Sequence, residues 1–376
     1  MPWEVSPVPE LRLPFVHQVL TLRRPVAAAC RDFGISRTTA YKWLGRYRDG
    51  PGRALADRSR RPHQSPGRTP ADAEQAILDI RDRFGWGPRK IHAHLTAQGA
   101  DLPGARTVAN VLRRRGRTGA PPAPAAAPQR FERAAPNELW QCDFKGRLEV
   151  ERRRVYPFTA LDDHSRFLLA LRPCLDLSMA TAWAALWDTF GEFGLPDALL
   201  CDNAFGSSAS APGVSWFEAR LLRLGIRPVH GRPYHPQTQG KIERLHGTLE
   251  RELWPRARRD ALAHFAADLD AWRTGVYNPL RPHEALGDVP PLARWRPSAR
   301  RRPARLPAVE YPPGSVLRQL STVGDVRWRR YRILAGRGLV GEYVRVEEGD
   351  NEVALYYAAT QIRRLRLSGP PRGPML

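Results

Sequence analysis

The stretch Leu139-Trp-Gln-Cys-Asp-Phe-Lys-Gly146 reads as a mainly apolar strand that carries one carboxylate, Asp143, near its end. A second strand-like run, Leu199-Leu-Cys-Asp-Asn-Ala-Phe205, reaches Asp202 in the same way. A third acid, Glu243, lies in the first turns of an amphipathic helix. Magnesium is bound in proteins by a few carboxylates, and two such ions about 4 Å apart stabilise both the attacking and the leaving oxygen of a phosphoryl transfer. These three acids are therefore the candidate catalytic and metal-binding residues.

The chain is strongly basic, with 60 Lys and Arg against 38 Asp and Glu in 376 residues and a formal net charge of +22. Such an excess predicts a polyanionic partner, and nucleic acid is the simplest one. Nearly all of the basic residues are arginines, so a coding bias could explain the choice of arginine over lysine, although not the deficit of acids. At roughly 150 residues per domain, this length indicates two to four domains.

The cysteines and the apolar runs bear on the compartment. The four cysteines form no Cys-x-x-Cys pair, so neither a zinc ribbon nor a disulfide framework is predicted. Cys142 and Cys201 each precede a candidate acid, and strand alternation directs them into the core, away from the site. No apolar run approaches the ~20 residues that span a bilayer, and the start of the chain lacks the features of a signal peptide. We therefore expect a cytoplasmic protein that is associated with the nucleoid and with no membrane.

Residues 1–68 are predicted to form a helix-turn-helix DNA-binding domain followed by a basic linker. Two helices, 26–33 and 37–48, flank the turn Gly34-Ile-Ser36, in which the glycine suits a positive φ and the serine suits a helix N-cap. In this motif the second helix enters the major groove of DNA. The outward residues of that helix are the candidate DNA contacts: Arg37, Thr38, Thr39, Lys42 and Arg46. An ordinary helical hairpin is the alternative.

Four further regions follow along the chain. Residues 69–118 are predicted to form a second helical DNA-binding unit, which ends in three consecutive arginines. These arginines are expected either to contact DNA or to form a solvated helix end. A Pro/Ala-rich linker covers 119–134. Residues 135–298 alternate strands and helices, which predicts an α/β core with a helical extension and a mixed sheet covered on both faces. Short Val- and Tyr-rich runs predict a small all-β, barrel-like domain over 308–368, suited to DNA contact or equally to packing and oligomerisation.

Six ordered blocks between residues 137 and 298 resemble the insertion-sequence DDE transposases of the retroviral integrase superfamily, which carry an N-terminal helix-turn-helix. A single Asp-Asn or Glu-Arg pair would be uninformative, but six blocks in this order are specific. The blocks are Trp140-Gln-Cys-Asp-Phe-Lys-Gly146, Leu161-Asp-Asp-His-Ser-Arg-Phe167, Cys201-Asp-Asn203, Leu224-Gly-Ile-Arg-Pro228, His235-Pro-Gln-Thr-Gln-Gly-Lys-Ile-Glu-Arg-Leu-His246 and Tyr277-Asn-Pro-Leu-Arg-Pro-His-Glu-Ala-Leu286.

The resemblance implies a ribonuclease-H-like fold for the catalytic core of a multidomain chain. Asp143, Asp202 and Glu243 match the three acids that bind Mg²⁺ or Mn²⁺ in this family. The implied reaction cuts the ends of a transposon and joins the freed 3′-OH to target DNA, so double-stranded DNA of both kinds is the implied partner. Action on two ends implies a homo-oligomer on DNA.

Several residues near the three acids are candidates for DNA contact. Lys145 follows Asp143 by two residues, and Lys241 and Arg244 flank Glu243, so all three suit phosphates near the cleavage point. His246 shares the helix face of Glu243 and suits a phosphate or a nucleophile, or else it is a surface histidine. The rival carboxylates Asp162 and Asp163 lie in a predicted turn, which favours a structural, hydrogen-bonding role.

Three departures from the family pattern concern the surroundings of the acids. Ala204 stands where the family usually has glycine, and Glu250 stands at a position that is often basic, with Arg251 beside it. Forty residues separate Asp202 from Glu243, about five more than usual. None of these departures removes a metal ligand.

Two other functions fit parts of the sequence. A catalytically weak or inactive DNA-binding regulator, derived from a transposase, would use the helix-turn-helix and keep the core as a scaffold. A ribonuclease-H-type nuclease would act on RNA–DNA hybrids, but a helix-turn-helix suits duplex DNA and argues against it.

Overall fold

The chain divides into two compact units, Met1–Arg68 and Thr69–Leu376. The computed structural model describes residues 8–50, 55, 68–118, 132–201, 213–230 and 240–367. The second unit contains both the predicted second helical unit and the α/β core. Residues 119–134, predicted as a linker, therefore join two parts of one compact unit, and residues 119–131 of that linker lie outside the described residues.

The described part of the first unit consists of three helices around a small apolar core. They are α1 (Val8–Leu20), α2 (Val26–Asp32) and α3 (Arg37–Asp49). Gly34 takes a φ of +61° in the turn, and the Ser36 hydroxyl accepts a hydrogen bond from the Thr39 amide at 3.2 Å as the N-cap of α3. Both features of the predicted turn are confirmed. Of the predicted basic linker, residues 51–54 and 56–67 lie outside the described residues.

The second unit begins with three helices packed around the buried Trp86. They are α4 (Ala71–Phe84), α5 (Pro88–Ala97) and α6 (Ala105–Arg114). Arg114 and Arg115, from the predicted arginine run, bind the carboxylate of Glu74, a buried side chain of α4. A buried carboxylate needs such partners because its charge is poorly solvated. These two arginines therefore connect α6 to α4, a structural role that their sequence did not indicate.

The α/β core is built on a six-stranded mixed sheet. Its strands are β1 (Trp140–Phe144), β2 (Leu148–Val150), β3 (Arg153–Asp162), β4 (Leu168–Cys174), β5 (Ala198–Cys201) and β6 (Arg227–His230). The order is β2-β3-β1-β5-β6, with β4 paired to β3. β1 is antiparallel to β3 and parallel to β5, and β5 is parallel to β6. β1, which carries Asp143, is therefore an interior strand.

Helices cover both faces of this sheet, as predicted. They are α7 (Met179–Phe193) and α8 (Trp216–Arg223) on one face, and α9 (Gly240–Thr248) and α10 (Leu262–Trp272) on the other. The alternation of side chains along β3 shows the division, because Phe158 and Ala160 pack with α7 and α8 whereas Leu161 packs with α9 and α10.

The helix predicted over 239–254, which carries Glu243, is described from residue 240 onward and is α-helical only in its first part. α9 ends at Thr248 and continues as a π-helical turn, Leu249–Leu253. A π-helical turn contains one more residue than an α-helical turn, so the side chains that follow it are rotated about the helix axis. Most side chains of this turn are buried, and one of them is the charged Glu252.

The C-terminal region, residues 308–367, is all-β as predicted, and we call it the C-terminal module. Its strands are β7 (Leu317–Gln319), β8 (Asp325–Trp328), β9 (Tyr331–Leu334), β10 (Tyr343–Glu348), β11 (Glu352–Tyr357) and β12 (Thr360–Arg366). Four strands form a sheet in the order β12-β11-β10-β7, and β8 and β9 form a hairpin. Ala219 and Leu222 of α8 pack into its core, and the Val214 amide donates to the Ala335 carbonyl at 2.8 Å. The module is thus docked on the α/β core at α8 and at the segment just before it.

Candidate active site

Asp143 lies on the face of β1 that points away from the cysteines. Cys142 of β1 and Cys201 of β5 are buried in the core beneath α7 and α8, with their Sγ atoms 3.1 Å apart. Alternation along β1 then directs Asp143 to the opposite face, toward α9. The prediction that these cysteines point into the core is confirmed, and the four cysteines of the chain are free thiols.

His246 connects α9 to Asp143. Its Nδ1 lies 3.9 Å from the Asp143 carboxylate, and its Nε2 lies 3.0 Å from the Thr159 hydroxyl. That hydroxyl donates to the backbone carbonyl of Asp143 at 2.9 Å, so its oxygen accepts from the ring, and the proton of a neutral His246 lies on Nε2. The Nδ1 lone pair then faces the carboxylate. Glu243 lies one helical turn before His246 and is exposed.

Burial keeps His246 neutral. The side chain is buried beneath α9, and burial, together with the nearby Lys145 ammonium, lowers the pKa of His246 to about 4. The imidazole therefore adds no positive charge to the site near pH 7. Its burial contradicts the alternative of a surface histidine. Contact with a phosphate stays a prediction, and the position against Asp143 favours a role inside the site.

Asp202 lies outside the described residues, as does Ala204. The register of the parallel pair places Leu200 of β5 opposite Gln141 of β1. One residue further along each strand, the two cysteine sulfurs are in contact. The described end of β5 therefore lies beside the residue that precedes Asp143, and Asp202 is the next residue of the chain.

The described part of the site offers hard oxygen donors. Among the described residues no group of three or more His, Cys, Asp or Glu side chains is placed to hold a metal ion, and Asp202 falls outside that search. The Asp143 side chain is 27% exposed, and Glu243 is exposed on the neighbouring helix. Carboxylates of this kind, partly open to water, are the ligands that Mg²⁺ and Mn²⁺ prefer. The donor set fits such a cation.

The cations predicted to contact phosphate have different surroundings. Lys145 Nζ lies 2.7 Å from an oxygen of the exposed Glu250. Lys241 Nζ lies 2.5 Å from an oxygen of Asp163, which is completely buried. Arg244 is exposed on α9. Contact of these three side chains with DNA stays a prediction.

The rival carboxylates are buried and held by hydrogen bonds. Asp162 accepts from the backbone N–H of Asn137 at 2.8 Å and from the Ser165 hydroxyl at 2.6 Å. Burial raises the pKa of Asp162, although these hydrogen bonds oppose the shift. Asp163 accepts from Gln141 Nε2 at 2.8 Å in addition to Lys241. These contacts support the structural role that the predicted turn favoured.

Sequence reasoning missed a buried ionic cluster next to the acid-bearing helix. Glu252 accepts hydrogen bonds from Trp86 Nε1 at 3.1 Å, from Lys90 Nζ at 2.9 Å and from Arg281 Nε at 2.8 Å. Trp86 and Lys90 belong to the helical unit 69–118, so this carboxylate fastens that unit to the α/β core. One signal was available, because Glu252 continues the apolar stripe of α9 at helical spacing, where a carboxylate requires a buried cation.

The second helix of the helix-turn-helix presents the predicted residues. The five candidate DNA contacts are exposed or half-buried: Arg37, Thr38, Thr39, Lys42 and Arg46. The apolar side of α3 buries Ala40, Trp43 and Leu44. Lys42 Nζ and the Arg46 guanidinium lie 5.2 Å and 4.7 Å from the centre of the Trp43 ring, so the indole supports both cations.

Four family models match parts of the chain. Two models described as integrase core domain match residues 133–236 and 224–291. A helix-turn-helix domain matches residues 12–63, and a homeodomain-like domain matches residues 39–112. The chain therefore contains an integrase core domain behind N-terminal helix-turn-helix domains, and these domains imply DNA binding. The resemblance to integrases and insertion-element transposases and the predicted fold class are confirmed.

Two curated relatives show where the similarity lies. A Gag-Pro-Pol polyprotein of Simian retrovirus SRV-2 is 34% identical over 120 residues, which cover 31% of this chain and 6% of the polyprotein. An uncharacterized 39.2 kDa protein of insertion element IS476 from Xanthomonas euvesicatoria is 28% identical over 158 residues, which cover 42% of this chain and 43% of that protein. The chain thus spans less than half the length of each of these relatives.

Solved structures of retroviral integrases are also similar to parts of the chain. One is a simian T-cell lymphotropic virus intasome in complex with a PP2A regulatory subunit, with 17% identity over 78% of this chain and 96% of that chain and a TM-score of 0.35. Another is the HTLV-2 integrase catalytic core domain in complex with magnesium, with 16% identity over 43% of this chain and 97% of that chain and a TM-score of 0.32. Within the described ranges, no helix is long and apolar enough to cross a membrane.

Proposed function

We propose that this chain, which carries an integrase core domain behind helix-turn-helix domains, is a DNA transposase. It cleaves the ends of an insertion element and joins the freed 3′-OH to target DNA. Asp143, Asp202 and Glu243 hold Mg²⁺ or Mn²⁺. The observation that carries the proposal is the position of Asp143, which lies on an interior strand and contacts His246. His246 in turn lies on α9, one helical turn after Glu243.

The residues of the site would position charge and substrate for two reactions at one place. A divalent cation held by these acids would supply Lewis acidity at the scissile phosphate and would lower the pKa of the attacking water or hydroxyl. The backbone of Asp143 is held by the pairing of its strand and by the Thr159 hydroxyl, which donates to its carbonyl, so the origin of the carboxylate side chain is fixed. Water first attacks the phosphorus at the element end, and the P–O3′ bond breaks, which frees the element's 3′-OH and leaves a 5′-phosphate on the flanking DNA. The freed 3′-OH then attacks a phosphorus of target DNA and displaces the 3′-oxygen of the target strand, which leaves as a 3′-OH. No covalent enzyme intermediate is needed, because the protein contributes positioning and electrostatic stabilisation.

DNA recognition and catalysis would use separate surfaces. α3 enters the major groove at the element ends and reads it with Arg37, Thr38, Thr39, Lys42 and Arg46. The core binds the cleavage point through backbone phosphates. Because two ends must be joined to one target, the active form is a homo-oligomer assembled on DNA.

The test is strand transfer in vitro with the full chain. The purified protein is mixed with Mg²⁺ and labelled duplex that carries the sequences flanking its gene, beside the variants Asp143→Asn and Asp202→Asn. Asp188→Asn is the matched control, because it removes a carboxylate from an exposed ion pair with Arg172 on the opposite face of the sheet. We expect joined products from the wild type and the control only, and duplex binding by all four proteins.

Other outcomes identify the alternatives. Tight duplex binding without a metal-dependent product in any sample would overturn the proposal and favour a DNA-binding regulator. Metal-dependent degradation of the RNA strand in RNA–DNA hybrids, with DNA duplex left intact, would favour a ribonuclease. Equal loss of binding and cleavage in Asp143→Asn would contradict a metal-binding role for that residue.

A further inference from the structure

An ion pair between Lys145 and Glu250 joins the two elements that carry Asp143 and Glu243. Lys145 follows Asp143 by two residues, and its backbone amide donates to the Pro157 carbonyl at 2.8 Å, which holds the chain just after β1. Glu250 lies in the π-helical turn that continues α9, seven residues after Glu243. The Lys145 ammonium and the Glu250 carboxylate are 2.7 Å apart. The pair therefore lies at the border of the candidate active site.

The exposure of Glu250 separates this ion pair from those of two other lysines. Lys241 binds the completely buried Asp163, and Lys90 binds Glu252, whose side chain is 8% exposed. Those carboxylates are enclosed, and displacing them would leave a buried charge unpaired. The Glu250 side chain is 54% exposed, whereas that of Lys145 is 23% exposed. Glu250 can therefore turn into solvent while the Lys145 ammonium stays beside the site.

A second cation lies close to this pair. Arg251, the next residue, places its guanidinium against Gly247, where an added Cβ would lie 3.3 Å from Nη1. Gly247 is four residues after Glu243 and so shares its helix face. Two residues along an extended chain span about 6.6 Å, so the Lys145 backbone lies one short step from that of Asp143. Both cations are thus close in sequence to the two described acids, Lys145 to Asp143 and Arg251 to Glu243.

We propose that Lys145 and Arg251 form a subsite for a DNA backbone phosphate next to the scissile one, and that Glu250 occupies this subsite until DNA displaces it. The inference rests on the proposed function, because it takes the DNA strand to run past Asp143 and Glu243. The Glu250 carboxylate holds the place of the phosphate oxygens in the free protein. Glu250 is thus an internal competitor that lowers the affinity for DNA at the cleavage point.

The charge at position 250 has a physical consequence for specificity. An exposed ion pair is weak, so a polyanion displaces its carboxylate easily, whereas a single small anion gains little by doing so. When DNA is also bound at several other points, its total binding free energy exceeds the cost of displacing the Glu250 carboxylate from Lys145. Strands that touch only this subsite bind less well, so Glu250 discriminates against short or misplaced DNA.

The test is a double-mutant cycle on DNA binding by the full chain, measured by fluorescence anisotropy over a series of salt concentrations without divalent metal. Removal of the competitor in Glu250→Gln is expected to tighten binding about two- to fivefold at low salt. Removal of the phosphate contact in Lys145→Gln is expected to weaken binding and to reduce the log–log salt slope by about one. In the Lys145→Gln background, Glu250→Gln should then leave the affinity unchanged within about 1.5-fold, because the ion pair with Lys145 is what holds the Glu250 carboxylate in the subsite.

The control variant is Asp188→Asn, which removes the same charge from an exposed ion pair on the other face of the sheet. Equal tightening in Asp188→Asn and Glu250→Gln would overturn the proposal, because net charge alone would explain it. A persistent effect of Glu250→Gln without Lys145 would also overturn it, since Glu250 would then repel DNA directly. An unchanged salt slope in Lys145→Gln would show that Lys145 contacts no phosphate, and this too would overturn the proposal. The affinities and salt slopes are measured without catalysis, so their outcome does not depend on the outcome of the strand-transfer assay.

Discussion

Replacing Glu252 by glutamine should loosen the helical unit 69–118 from the α/β core and destabilise the second unit of the chain. Glu252 is the common acceptor for side chains from three segments: Trp86 before α5, Lys90 within α5, and Arg281 beyond α10. Glutamine preserves the shape but removes the charge and presents an amide donor to these donors. Arg281 would then be left as a buried cation without its carboxylate.

The burial of both partners sets the magnitude. The side chains of Glu252 and Arg281 are 8% and 6% exposed, and two hydrogen bonds of 2.8 Å and 2.9 Å join them. Breaking a buried pair of this kind by removing one partner costs about 3–5 kcal/mol. The Lys90 side chain is 28% exposed, and replacing it by methionine leaves the pair between Glu252 and Arg281 intact. For Lys90→Met we therefore expect a smaller loss in the free energy of unfolding, about 1–2 kcal/mol.

The effect should also depend on pH. Burial by itself raises the pKa of Glu252, but the hydrogen bonds and charges of Arg281 and Lys90 outweigh it and lower the pKa below its ordinary value. A carboxyl group with a depressed pKa contributes stability above its unfolded-state pKa of about 4.3 and loses it as the pH falls through the folded-state pKa. The difference between wild type and Glu252→Gln should therefore be full at pH 7 and shrink below about pH 4.

Urea unfolding followed by circular dichroism measures the free energy of unfolding, and hydrogen exchange of the α5 amides reports whether the helical unit has loosened. The matched control is Glu284→Gln, because Glu284 also binds α5, through Arg89, but its side chain is 71% exposed. We expect no measurable loss in that control. If Glu252→Gln unfolds at the same urea concentration as Glu284→Gln, and α5 exchanges no faster than in the wild type, the reasoning is refuted.

Three further predictions concern other parts of the chain. A Cβ at Gly338 would overlap the backbone of Ser215, so Gly338→Ala should weaken the docking of the C-terminal module by about 1–3 kcal/mol in urea unfolding. Loss of the α3 N-cap in Ser36→Ala should destabilise the first unit by about 1 kcal/mol and weaken duplex binding, as read by thermal unfolding and anisotropy. His230 Nε2 donates a hydrogen bond of 2.5 Å to the Glu218 carboxylate, and this bond raises the pKa of His230. The resulting stability is complete below pH ~6.5 and is lost as the pH rises through the folded-state pKa, so the urea midpoints of wild type and His230→Gln should converge above that range.

Each of these predictions has an outcome that contradicts it. Gly349→Ala is the control for Gly338→Ala, because a Cβ there meets nothing closer than 3.5 Å, and equal destabilisation of the two variants would rule out a specific clash. A thermal midpoint of Ser36→Ala equal to that of the wild type would show that the cap contributes nothing. A constant difference between wild type and His230→Gln across this pH range would exclude the Glu218 pair as its cause.

The strands and helices around the site followed from local pattern. The apolar run before Asp143 forms β1. Because side chains alternate along this strand, Cys142 points into the core and Asp143 points toward α9. Ser36 caps α3 because a hydroxyl at that position satisfies an amide of the first turn. These features depend on a few consecutive residues and on the periods of strands and helices, so a single sequence is enough to predict them.

The surroundings of the charged residues could not be predicted in this way. The three candidate cations near the acids looked alike in sequence, yet Lys241 binds the buried Asp163 and Lys145 binds the exposed Glu250. The π-helical turn that brings Glu250 to Lys145 left no sign in the apolar spacing of α9. Which carboxylate a cation meets depends on the packing of elements that are distant along the chain.

The sequence by itself determined the helix-turn-helix and the succession of helical, α/β and β regions, and it predicted the three candidate acids, because each is encoded by residue type and short-range spacing. Only the tertiary structure decided that the helical unit 69–118 is fastened to the core, through Glu252 and a tryptophan 166 residues away. Buried charges must find partners wherever folding brings them, and those partners are chosen by the packing of the whole molecule.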